Sequence, residues 1–142
     1  MRKSKANAEW SGDLKGGKGT MELGSGAYSG AYSFTTRFGS EAGTNPEELI
    51  GAALAGCFSM ALSNMLSEAG NVPQMVRTDA EVSFGTEGGG PAISNIHLSV
   101  RGQVDGLDQA AFVEHAERAS RECPVSRALG GTDITVDAQL VS

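Results

Sequence analysis

Residues 49–66 read "LIGAALAGCFSMALSNML", a stretch whose apolar side chains point in nearly every direction if it is coiled as a helix. Start and stop signals frame it. Asn45 suits an N-cap, Pro46 the first helical position, and Glu47 and Glu48 complement the positive end of the helix dipole. Gly70 and Pro73 end it. A helix apolar nearly all round is central and covered on most sides. Three later segments, "VRTDAEVSFGT", "NIHLSVRGQV" and "DITVDAQLV", alternate with the two-residue period of half-buried strands, and "GTEGGGP" is a loop tip. Between the last two strands, "LDQAAFVEHAERASREC" predicts an amphipathic helix with Ala111, Phe112, His115 and Ala119 on one side.

The first forty residues predict short strands between glycine turns: "ANAEWSG", "GTMELGS" and the aromatic, β-branched "AYSFTTRF". In "KGGKGT", Gly19 follows Lys18 where a phosphate-binding loop needs Ser or Thr, so the segment reads as a hairpin turn. Strands with intervening long helices indicate an α+β fold, here one domain over residues 1–142. One sheet of this size covers only one side of the central helix. A second copy of the chain, related by a two-fold axis, is the economical cover for the rest.

Composition narrows the function. The net charge of −6, with no Lys/Arg cluster, argues against a nucleic-acid partner. The opening "MRKSKANAEWSG" is basic without a following apolar segment, unlike a secretory signal. The 49–66 stretch, broken by Gly51, Gly56, Ser59, Ser63 and Asn64, reads as too short and too polar to span a membrane. A reducing cytoplasmic setting is expected, where two cysteines point to redox or catalytic use rather than stapling.

Cys57 and Cys123 are too far apart for a local two-cysteine motif, and His97 and His115 show no ligand spacing that would complete a zinc site. Cys57, flanked by Ala55, Gly56, Phe58 and Met60, reads on composition as a small core residue whose pKa burial would raise. Cys123 differs. It precedes "PVSRAL" at the mouth of a helix, where unpaired amides, the dipole and nearby Arg121 and Arg127 favour a thiolate.

"TNPEELIGAALAGCFSMALS" together with "CPVSRAL" resembles the OsmC/Ohr family, osmotically inducible protein C and the organic hydroperoxide resistance proteins, and is closer to the OsmC branch. The resemblance runs from "AEWSGDLKGGKGT" through "TRFGSEAGTNPEEL" to the last strand. It implies the OsmC-like fold, with antiparallel sheets packed around a long central apolar helix in an intertwined homodimer. It also implies a thiol peroxidase with no metal or other cofactor, acting on organic hydroperoxides and hydrogen peroxide. By motif the resemblance makes Cys57 the expected peroxidatic thiol and Cys123 the expected resolving thiol, joined in an intrachain disulfide during turnover. It likewise implies Arg37 as the cation that stabilises the reactive thiolate and Glu47 as its carboxylate partner. The implied reductant is a dithiol, in some members of the family a lipoylated protein. The alternative is a non-enzymatic dimer holding a lipid-like ligand in an apolar interface cleft.

Overall fold

Local chemistry fixes the first elements. The computed structural model describes residues 1–141. Strands β1 (Ala6–Ser11), β2 (Lys18–Leu23) and β3 (Ser29–Tyr32) pair antiparallel in that order. At the β1–β2 turn, the Asp13 carboxylate accepts from the Gly16 amide at 2.6 Å, and Gly12 takes a φ of +95° that favours glycine. On this sheet Trp10 and Tyr32 lie with ring centroids 5.3 Å apart. Gly19 passes between them, where a Cβ would come within 2.7 Å of both rings.

The predicted strand "AYSFTTRF" is strand only as far as Tyr32. Residues Phe34–Phe38 form helix α1, because Ser33 and Thr36 make a reciprocal capping box that turns the chain out of the extended conformation. The Thr36 hydroxyl accepts from the Ser33 amide at 2.8 Å, and the Ser33 hydroxyl accepts from the Thr36 amide. Arg37 therefore sits on a helix.

Helix α2 (Pro46–Glu68) starts where predicted, with the Asn45 carboxamide oxygen accepting from the Glu48 amide at 2.8 Å. The chain divides into two compact units at this helix, Met1–Leu49 and Ile50–Ser142.

In the second unit, β4 (Met75–Glu87) and β5 (Gly90–Gln103) form a long antiparallel hairpin. Gly88 and Gly89 join them, both with positive φ (62° and 92°), as a two-residue hairpin turn requires. Strand β6 (Asp133–Leu140) pairs with β5 parallel, so this sheet is mixed and not the antiparallel one expected. Alternation cannot distinguish the two cases; the intervening helices can, since parallel neighbours need a long crossover. Here the crossover contains α3 (Gln109–Glu122) and α4 (Pro124–Ala128). Gln109 ties its start to the end of β6, donating to the Ala138 carbonyl at 2.7 Å and accepting from the Leu140 amide at 2.9 Å.

The core of this unit takes Leu54, Phe58, Leu62 and Leu66 from α2. Against them lie Ile96, Leu98 and Val100 from β5 and Phe112, Ala116 and Ala119 from α3. The buried side of α3 thus contains Ala116, while the predicted Ala111 and His115 are only partly covered. Gly102 leaves no room for a side chain beneath the Phe112 ring.

The expected covering of α2 on most sides does not occur within one chain. Ala52, Ala53, Gly56 and Met60 are exposed, Met60 at 77%. By length and composition α2 is also long and apolar enough to cross a membrane, against the sequence expectation, because its polar interruptions are few and small. Its Leu54–Leu66 side is nonetheless committed to the protein core.

Candidate active site

Helix α2 presents Cys57 on the turn between the buried Leu54 and Phe58, and the α3–α4 junction presents Cys123. Cys123 closes one helix and opens the next: its amide donates to the Ala119 carbonyl at 2.9 Å, and Pro124 follows as the first residue of α4. Residues 66 positions apart thereby meet, with the two Sγ atoms 2.8 Å apart. Both are free thiols, Cys57 partly exposed and Cys123 completely buried. A disulfide requires about 0.75 Å of further closure, to ~2.05 Å.

The surroundings shift the pKa values of the two thiols in opposite directions. Burial and the contact with Cys123 raise the Cys57 pKa, against a lesser lowering by the Val125 amide. For Cys123 burial also acts upward, but it is outweighed by the hydrogen bond from Cys57, by the Ser126 amide and hydroxyl, and by the Val125 amide, so its pKa falls. Within the thiol pair the negative charge therefore belongs on Cys123. The expectation of a depressed Cys123 pKa holds, but its cause is more local than a helix dipole. Helix α4 has five residues, and Arg121 and Arg127 are both exposed on the surface. Sequence reasoning misses Ser126. The available signal is a hydroxyl three positions after a helix-opening residue, the spacing of a capping box.

Arg37 and Glu47 meet in the first unit. The Arg37 Nε and Nη2 both donate to Glu47 Oε1, at 2.9 and 2.7 Å. The Glu47 side chain is 8% exposed and that of Arg37 34%. Asn45 holds the two helices in register by capping α2 and donating to the Thr36 carbonyl at 3.1 Å. The guanidinium lies 5.5 Å from the Phe38 ring centroid. Beside it, Trp10, Leu14, Tyr32, Phe34 and Phe38 line a cavity of about 220 Å³. A larger cleft in the same unit, about 620 Å³ and lined by Glu9, Lys18, Tyr28 and Glu41 among others, has neither a thiol nor a guanidinium on its walls.

Among the described residues, no group of three or more His, Cys, Asp or Glu is arranged to hold a metal. The His97 ring pairs with the Thr135 hydroxyl at 2.7 Å on the sheet surface, and His115 lies on α3.

Residues 39–138 match the family described as OsmC-like protein. The chain is 49% identical to the peroxiredoxin OsmC of Escherichia coli, over 97% of this chain and 96% of that protein. It is 33% identical over 96 residues to the organic hydroperoxide resistance protein of Xanthomonas axonopodis pv. citri, 66% of each chain. Among solved structures, the organic hydroperoxide resistance protein OhrB of Bacillus subtilis superposes with a TM-score of 0.75 at 24% identity, covering 95% of this chain and 98% of that one. That last likeness is one of fold.

Proposed function

The chain belongs to the OsmC family, and from that premise we propose that it is a cysteine-based peroxidase reducing organic hydroperoxides and hydrogen peroxide. One observation carries the proposal: two free thiols 2.8 Å apart, one partly exposed and the other buried. The exposed sulfur meets substrate, and the buried one completes the cycle.

The Cys57 thiolate attacks the terminal oxygen of the hydroperoxide. An S–O bond forms, the O–O bond breaks, and the departing alkoxide takes a proton from solvent, leaving Cys57 as sulfenic acid. The Cys123 thiolate then attacks the Cys57 sulfur. The S–S bond forms, the S–O bond breaks, and hydroxide leaves as water after protonation. A dithiol reductant, such as a lipoylated protein, attacks the accessible Cys57 sulfur and expels Cys123 as thiolate. Its second thiol releases Cys57 and closes its own disulfide. A reducing cytoplasm, which keeps such dithiols available, suits this cycle.

The first step needs a Cys57 thiolate, which the thiol pair by itself disfavours. Arg37 is the cation suited to reversing that preference. Its charge is permanent, and the Glu47 carboxylate fixes its planar fork. The aromatic cavity beside Arg37 suits the apolar group of an organic hydroperoxide.

The active form is a homodimer with composite sites. Its support is the uncovered side of α2, on which Ala52, Ala53, Gly56 and Met60 form an apolar strip of small and flexible side chains. Within the most apolar window of this helix, only 28% is buried inside one chain. Glu47 and Cys57 are ten residues apart on α2, about 15 Å of helical rise. Arg37 clamped to Glu47 therefore serves Cys57 most simply across the dimer, from Arg37 of the partner subunit.

Stoichiometric tert-butyl hydroperoxide is expected to convert the two thiols of each chain into one intrachain disulfide, read by mass spectrometry. Two intact thiols after full exposure defeat the peroxidase reading and favour a binding protein. Mixing Cys57→Ser with Arg37→Ala chains under refolding conditions tests the composite site. Heterodimers are expected to carry both defects in one site and regain about half the activity; inactive heterodimers assign each site to a single chain.

A further inference from the structure

Ser126 is 6% exposed, and its hydroxyl oxygen has no hydrogen-bond partner among the described residues. That is a costly way to place a hydroxyl in a core, since a buried polar group without a partner loses its hydration for nothing. An alanine would fit a helix position here without that cost. The usual outlet for serine inside a helix, a bond back to a carbonyl of the preceding turn, is not made. In its place the hydroxyl and the amide of Ser126 both act on the Cys123 sulfur, which the Val125 amide also approaches. Cys123 opens α4 without any side-chain capping bond of its own, and in the dithiol its sulfur lies 2.8 Å from that of Cys57.

We propose that Ser126 is a positioning residue for the resolving cysteine, its hydroxyl reserved for a hydrogen bond to the Cys123 sulfur whenever that sulfur carries charge. In the cycle proposed above, on which this inference rests, that happens twice. The first time, Cys123 attacks the Cys57 sulfenic acid; the second, it leaves as the disulfide is opened. At both points the hydroxyl donates while keeping its proton, so no atom or electron is transferred to Ser126. The Cys57 contact is unavailable at those moments, because the Cys57 sulfur is then bonded to oxygen or to another sulfur. The amides of Val125 and Ser126 and the Ser126 hydroxyl remain. The hydroxyl lacks a partner in the dithiol form because its partner is a thiolate that exists only transiently.

The test separates this role from the peroxidase reading by measuring Cys123 without peroxide. In a Cys57→Ala background, thiolate absorbance reports the Cys123 pKa with and without Ser126→Ala. Loss of one donor to a charged sulfur is expected to raise it by about one pH unit, and Ser126→Thr, which keeps the hydroxyl, is expected to restore it. In the chain with both cysteines, Ser126→Ala is expected to slow reduction of the preformed disulfide by dithiothreitol. The melting temperature of the dithiol form is expected to stay level or rise, because the alanine removes a hydroxyl that bonds to nothing there. An unchanged Cys123 pKa overturns the proposal. So does a marked fall in dithiol stability, failure to fold included, since either shows that the hydroxyl is needed for structure.

Discussion

The thiol pair and the ion pair are brought together by opposite means. Arg37 and Glu47 are ten positions apart, and short-range rules set them: a Ser33–Thr36 capping box, an Asn45 cap and one carboxamide link to the Thr36 carbonyl. Cys57 and Cys123 are 66 positions apart, and a hydrophobic core sets them through Phe58 and Leu62 of α2 and Ala116 and Ala119 of α3. The ion pair is fixed by hydrogen bonds that substitution can remove singly. The thiol pair is fixed by packing, which resists any single polar change. They also differ electrostatically: the ion pair joins opposite charges, whereas the surroundings of the thiol pair raise the pKa of Cys57 and lower that of Cys123.

Removing chemistry from the thiol pair gives the largest expected effect. Cys57→Ser abolishes turnover in a peroxide-consumption assay, to background. Cys123→Ser leaves one oxidation per chain intact and then accumulates sulfinic and sulfonic Cys57, seen as added oxygen mass. Neither substitution breaks a disulfide of the reduced protein, and Cys123→Ser is the more destabilising of the two because it puts a hydroxyl at a fully buried core position.

An intermediate effect is expected from the ion pair. In the proposed composite site, Arg37→Ala leaves Cys57 with the raised pKa that burial and Cys123 impose within one chain. Below that pKa, peroxide attack at neutral pH slows about tenfold for each pH unit by which the pKa has risen. The sign is checkable: the mutant rate climbs with pH and recovers part of the deficit in alkali, while the wild-type rate levels off earlier. A Cys57 pKa identical in both proteins removes Arg37 from this role.

The smallest effect comes from loosening the ion pair without touching it. Asn45→Ala removes the α2 cap and the link to α1, at a cost of about 1 kcal/mol. For a chain of this length the melting temperature is expected to fall by about 3 °C. The peroxidase rate drops less than in Arg37→Ala, because the guanidinium keeps its bonds to Glu47. A loss equal to that of Arg37→Ala shows that register, and not charge, limits the reaction.

The same contrast explains what the sequence disclosed. The limits of α2 follow from Asn45, Pro46 and Gly70, and the hairpin from alternation around Gly88 and Gly89. Helix α1 was masked by β-branched and aromatic residues, whose strand preference the Ser33 cap overrides. The parallel pairing of β6 was invisible because both kinds of ladder alternate with the same period. An apolar helix announces that its sides will be covered without saying by which chain, and α2 leaves Met60 open. Within the site, composition alone made Cys57 a core residue, and only the family resemblance singled out Arg37 and Glu47. The Arg37–Glu47 contact is visible once α1 is known to be a helix. For Ser126 the sequence offers only its spacing from Cys123; that its hydroxyl is buried without a partner is a property of packing in three dimensions.

The crossover that carries Cys123 back to Cys57 also imposes an order in time. A ribosome delivers Cys57 first, and its partner arrives 66 residues later, at synthesis rates of about 5–20 residues per second a lag of several seconds. Throughout that lag the nascent chain has Cys57 without its resolving thiol, and also without the partner subunit's Arg37 that is proposed to activate it. On that reading the sulfur becomes reactive only in the assembled protein, where the thiol that repairs it already lies beside it.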